Sequence, residues 1–136
     1  MALVIGERLS KHLTKWSPVN DHLLSARFFH HHGHLSVVVA YAPTEDATDA
    51  DKDTFYGRLE SLVINNPKHD VLLILGNLNA VSEVDRSGFE KVVGQFGSGI
   101  ANDNSLRLLA RCSSNGLYCR LLVQVRRHST LVVVFQ

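Results

Sequence analysis

Two short apolar stretches constrain this chain more than any other feature: Leu35–Tyr41 (Leu-Ser-Val-Val-Val-Ala-Tyr) and Val71–Leu75 (Val-Leu-Leu-Ile-Leu). The first is β-branched and nearly continuous in apolarity, as a strand covered on both faces would be; the second is short and wholly apolar. Each ends abruptly in polar sequence. Tyr41-Ala42-Pro43-Thr44 follows the first and Gly76-Asn77-Leu78-Asn79 follows the second. Pro43 removes a ladder donor and pushes Ala42 towards extended geometry, so the strand must stop there. Buried strands alternating with amphipathic helices make an α/β layered domain.

The segment between these strands reads as a helix. Thr48 with Asp51 three residues on has the form of a capping box, Asp standing for the usual Glu. Phe55, Leu59, Leu62 and Val63 fall on one helical face, and Asn65-Asn66-Pro67 ends it. Upstream, Ala2–Ile5 and Leu24–Phe29 are strand candidates, and His30–His34 with Gly33 turns one strand into the next. Downstream, Val81–Asn104 is long, polar and glycine-rich, the kind of loop that is functional or mobile. A second helix is expected from about Ser105 to Ser113, with Leu106, Leu109, Ala110 and Ser113 on one face and Asn115-Gly116 as its stop. Leu117–Val125 and Thr130–Phe135 read as strands.

A chain of 136 residues is one domain's worth. A formal net charge of +1 gives no general reason to bind nucleic acid. The charge is uneven, however: after residue 101 five arginines (Arg107, Arg111, Arg120, Arg126, Arg127) face Asp103 alone. No stretch approaches the ~20 apolar residues that span a membrane. The start lacks a basic region, and its apolar run is too short for a secretory signal. These features predict an intracellular protein without a membrane partner. Cys112 and Cys119 make no metal spacing and no disulfide framework, and Cys112 is expected as a small buried hydrophobe. The imidazoles of His30, His31, His32 and His34 come from one turn, whereas metal sites draw ligands from separate elements. A solvated turn is the expectation, and no metal ligand is assigned. Trp16 reads as a core or edge anchor. His69 and Asp70 lie at the opposite end of a strand from Asn77, which excludes them as a catalytic dyad.

Polar residues at strand carboxyl ends are where α/β proteins place their sites. A tyrosine hydroxyl and two amides can converge on a phosphate as neutral donors. Singly, each cluster is no more than a turn former. In order, Val37-Val38-Val39-Ala40-Tyr41-Ala42-Pro43-Thr44, Phe55-Tyr56, Pro67-Lys68-His69-Asp70-Val71 and Gly76-Asn77-Leu78-Asn79-Ala80 resemble the endonuclease/exonuclease/phosphatase family. The nearest likeness is to the apurinic-type endonuclease domains of LINE-type retrotransposons. Asp85-Arg86-Ser87-Gly88, Gly97-Ser98-Gly99, Asn102-Asp103-Asn104-Ser105 and Ser114-Asn115-Gly116-Leu117 extend the resemblance over roughly Ala2 to Leu122. It implies a DNase I-like four-layer α/β sandwich and a Mg²⁺-dependent phosphodiesterase that nicks DNA. Tyr41 matches the tyrosine that hydrogen-bonds the phosphate. Asn77 stands where the water-activating Asp belongs, and Asn79 matches the Asn that stabilises developing charge. Arg86 lies in a loop that runs near DNA in such enzymes, so it is a candidate nucleic-acid contact.

Three departures follow from the same resemblance. Asn77 cannot accept a proton at neutral pH, and loss of a general base costs ~10²–10⁴ in rate. The family's first Asn and metal-binding Glu would precede Ala2, and Glu7 falls too late to replace the Glu. Its closing Asp–His pair would lie beyond the second helix, where no Asp follows Asp103 and the last histidine is His128. The expectation is a partial domain over 1–122, its N- and C-terminal parts missing, with a divergent tail over 123–136. The predicted function is a fragment of a Mg²⁺-dependent DNA endonuclease of retrotransposon origin, catalytically inactive and without retained Mg²⁺. It would be nuclear if the family role is kept. The alternatives are a non-catalytic nucleic-acid- or protein-binding module, using the basic stretch after residue 101, and a translated relic without function.

Overall fold

The computed structural model describes residues 2–80, 88–91, 101–126 and 129–135, with side chains up to Cys119. A short turn of helix, α1 (Glu7–Ser10), leads into a meander of β1 (Leu13–Asn20), β2 (Leu23–His30) and β3 (Gly33–Tyr41). Helix α2 (Asp49–Ile64) crosses to β4 (Val71–Asn77); α3 (Asp103–Ser114), β5 (Tyr118–Arg126) and β6 (Ser129–Phe135) follow. One six-stranded sheet results, ordered β1-β2-β3-β4-β6-β5. Among the described residues only the two apolar stretches, β3 and β4, pair in parallel, from Leu35↔Val71 to Tyr41↔Asn77. The remaining neighbours are antiparallel. A parallel pair needs a long crossover, and α2 supplies it. The fold is mixed α/β. Among the described residues no helix is long and apolar enough to cross a membrane.

The two faces of the sheet are covered unequally. On one, Val38 and Ala40 of β3 and Leu72 and Ile74 of β4 join Phe55, Tyr56, Leu59 and Val63 of α2 and Leu108, Leu109 and Cys112 of α3 in the main core. On the other, Ala26, Phe28 and Val37 are buried, while Leu35, Val39, Leu73 and Leu75 are only partly so. Leu3 and Ile5 lie against this second cluster. Successive burial of Ser36, Val37 and Val38 is what a strand covered on both faces requires.

The start of α2 is read correctly by its cap. Thr48 Oγ1 accepts from the Asp51 N–H at 3.2 Å and donates to Asp51 Oδ2 at 2.7 Å. The Asp therefore answers the threonine hydroxyl, a variant of the usual box. Other expectations change. Ala2–Ile5 lies outside any strand, and β1 holds the edge beside β2. β1 itself gives little signal: it is a largely exposed edge strand that contains Lys15, Trp16 and Pro18, residues that edges tolerate. Trp16 is an edge residue, 61% exposed, and not a core anchor. Helix α3 begins at Asp103 and buries Ser105, Leu108, Leu109 and Cys112, whereas Leu106 is 53% exposed. The Asn102 side chain accepts from the Ser105 N–H and sets this start. The expected face is therefore rotated: of Leu106, Leu109, Ala110 and Ser113, Leu109 alone is buried. Cys112 is buried as expected and is a free thiol; its hydrogen bonding with the free Cys119 thiol and its burial raise its pKa. Strand β5 spans position 122, with a shift of register against β6 between Leu121 and Val123, and β6 lies between β4 and β5.

Asp70, at the start of β4, ties three strands. Arg27 of β2 donates to both its oxygens (Nε at 2.7 Å, Nη2 at 2.8 Å), and Ser36 Oγ of β3 donates at 2.7 Å. The Arg27 bonds hold the Asp70 carboxyl down at about 2.

Candidate functional site

The site expected at the carboxyl ends of β3 and β4 begins with a close approach of backbones. Gly76 has φ +145°, and a Cβ there would lie 1.8 Å from the Ala40 carbonyl oxygen. Only glycine fits. One residue later, Tyr41 and Asn77 are partners on the last rung of the parallel ladder. The Ala42 N–H donates to the Asn77 carbonyl at 2.9 Å, so the chains separate only beyond this rung.

Both asparagines make turn-forming bonds. Asn77 Oδ1 accepts from the Asn79 N–H at 2.9 Å. Asn79 adopts φ +47°, a conformation that Asn tolerates better than most residues. Its Nδ2 donates to the carbonyls of Ala42 at 2.7 Å and Pro43 at 3.3 Å. Its own carbonyl accepts from Asn102 Nδ2 at 2.8 Å. Asn79 thus pins the loop after β3, the loop after β4 and the cap of α3 to one another. Tyr41, by contrast, is 49% exposed. Arg86 lies outside the described residues.

A second polar cluster, absent from the sequence reading, anchors the loop after β3. Lys52 of α2 is 4% exposed. Its Nζ donates to the Glu45 carbonyl at 2.7 Å and lies 3.3 Å from Asp103 Oδ2 and 3.7 Å from Glu45 Oε1. Asn104 is fully buried; its Nδ2 donates to the Pro43 carbonyl at 3.1 Å, and its own carbonyl accepts from Tyr56 Oη at 3.0 Å. Arg107 donates to Asp103 Oδ2 at 2.7 Å and also pairs with Asp49 and Asp53. The Arg107 bond, then Lys52, lowers the pKa of Asp103, and the same bond raises that of Arg107. Burial raises that of Tyr56. A lysine inside a helical pattern reads as solvated surface, which is why Lys52 left no signal. It is buried because two carboxylates and a carbonyl meet it there.

These donors can be tested against Mg²⁺. The last rung offers a phenol and a neutral amide. The Asn79 amide is turned to backbone carbonyls. Of the carboxylates named above, Glu45 and Asp103 are engaged by Lys52 and Arg107, and Asp51 accepts from the Thr48 hydroxyl. Hard divalent cations take oxygen ligands, with carboxylates prominent among them. The described residues do not fit Mg²⁺, and among them no group of three or more His, Cys, Asp or Glu side chains is placed to hold a metal.

No protein-family model matches the chain. Over 117 residues, 86% of its length, it is 33% identical to craniofacial development protein 2 of Bos taurus and 32% identical to that of Tragulus javanicus. The chain spans about a fifth of the length of these curated relatives (19% and 20%). The similarity that this sequence carries is to craniofacial development protein 2, along one segment of that longer protein.

Proposed function

We propose that this chain is a catalytically silent endonuclease-type domain of LINE-retrotransposon descent, its ancestral reaction being Mg²⁺-assisted hydrolysis of a DNA phosphodiester. The finer fold, a DNase I-like four-layer sandwich, belongs to the same proposal, as do DNA as partner and the nucleus as location. The observation that carries it is Asn77, paired with Tyr41 at the end of the parallel strands, where the resembling enzymes hold the water-activating Asp. In such an enzyme a carboxylate takes the proton of the attacking water; an amide cannot. Yet Asn77 Oδ1 still accepts the Asn79 N–H, a bond that Asp would make equally. The turn therefore tolerates the substitution and the chemistry does not.

The test is supercoiled-plasmid nicking in Mg²⁺, on the native chain and on Asn77→Asp. The native chain is expected at background. Asn77→Asp is expected to stay within about tenfold of background, because a base without metal ligands recovers little of its usual ~10²–10⁴. Mg²⁺-dependent nicking by the native chain that Tyr41→Phe abolishes overturns the assignment of silence.

A further inference from the structure

Beside the strand ends, a cleft of about 410 Å³ opens between the β1–β2 turn, the end of β3 and helix α2. That volume lies in the small-molecule range of ~300–1,000 Å³. Its walls combine aromatic rings with opposed charges. The rings of Tyr41 and His22 are nearly parallel (16°) with centroids 6.4 Å apart, and Phe55 meets His22 edge-on at 6.3 Å. Phe55 is buried and Tyr41 half-exposed, so the rings run from floor to mouth.

Local bonds fix this aromatic wall. Asn20 Oδ1 accepts the His22 N–H at 2.8 Å and shapes the turn. The Tyr41 N–H donates to the His22 carbonyl at 2.9 Å, and His22 Nδ1 lies 2.7 Å from the Tyr41 carbonyl. A carbonyl only accepts, so Nδ1 carries the proton in this bond. The wall is preorganised before any ligand arrives.

Along α2 the cleft is lined by Asp51, Thr54 and Arg58. Arg58 is exposed and has no ion-pair partner among the described residues. Asp51 accepts from the Thr48 hydroxyl through one of its two oxygens. Asp51 and Arg58 lie seven positions apart along the helix, about 10 Å. A ligand matching this order has a planar ring for the aromatic wall, an anionic group for the guanidinium and a hydrogen-bond donor for the carboxylate. A nucleotide has all three at comparable spacing. We propose that this cleft binds a nucleoside monophosphate, with its phosphate on Arg58, its base against Tyr41 and His22, and a base or sugar donor on Asp51. Guanidinium–phosphate pairing and base stacking are the two interactions it would use. Nothing in the assignment requires cleavage, so it stands independently of the fate of Asn77.

Calorimetric titration of the full chain with AMP, adenosine and inorganic phosphate tests it, with amide NMR to locate the contact. AMP is expected to bind at least about tenfold tighter than adenosine or phosphate, shifting His22, Tyr41 and Phe55. Arg58→Ala should weaken AMP to the level of adenosine, and Arg58→Lys should recover part of the loss. Arg58 is exposed, and a matching melting temperature certifies the fold of either variant. AMP that leaves those three resonances unmoved, or binds native and Arg58→Ala chains equally, overturns the proposal. Given AMP binding, displacement by a 5′-phosphorylated trinucleotide assigns the site to strand ends; failure to displace assigns it to free nucleotide.

Discussion

At Gly76 one missing methyl group decides whether the parallel strands can meet. Its φ of +145° suits glycine alone, and any Cβ would collide with the Ala40 carbonyl across the ladder. The carbonyl is main chain and the position of a Cβ is fixed by its own backbone, so no side chain can swing away. Gly76→Ala should cost about 3 kcal/mol or more, read as a fall in the urea midpoint or outright failure to fold. The glycine was legible as the point where an apolar run turns polar. Its cause was not, because the collision is with a residue 36 positions away. The asparagines show a similar division. Asn77 and Asn79 were visible as polar groups at a strand end, but that Asn79 would spend its amide on Ala42 and Pro43 is a matter of distance across two loops.

At the scale of elements, caps were easier to read than faces. Thr48 and Asp51 mark the start of α2 in sequence and mark it in space. For α3 the periodicity placed Leu106 inward, yet Leu106 is exposed and Leu108 is buried. Several rotations of a short helix put apolar residues inward, and packing against α2 and β5 selects among them. Leu109→Ala should therefore cost about 2–4 kcal/mol, while Leu106→Ala should stay within about 0.5 kcal/mol, both by chemical denaturation. Equal effects would mean that α3 is rotated from the position described. Strand β1 was missed for a related reason: an exposed edge strand needs little apolar sequence, since its ladder to β2 supplies the order.

For the molecule as a whole, the Arg27–Asp70–Ser36 link binds β2, β3 and β4 at the end of the sheet opposite Tyr41. Asp70 has a folded pKa of about 2 against an ordinary 3.8. A depressed carboxylate contributes stability above its unfolded value and loses it as pH falls through the folded one. Stability should thus decline between about pH 4 and pH 2, and Asp70→Asn should flatten that part of the profile in melts across the range. The unequal covering of the sheet is also a whole-molecule property: the helix-backed face holds the larger core, while Leu35, Val39, Leu73 and Leu75 remain partly open. By itself, the sequence determined the α/β class, the two central strands, the crossover helix and the polar residues at the strand ends. Those features rest on local periodicity, capping and chain-breaking chemistry. Tertiary structure alone decided the parallel pairing of β3 with β4, the burial of Lys52 among carboxylates, and the meeting of His22, Tyr41 and Arg58 around one cleft. Each of these depends on residues distant in the chain being brought within a few ångströms, a distance that no local pattern encodes.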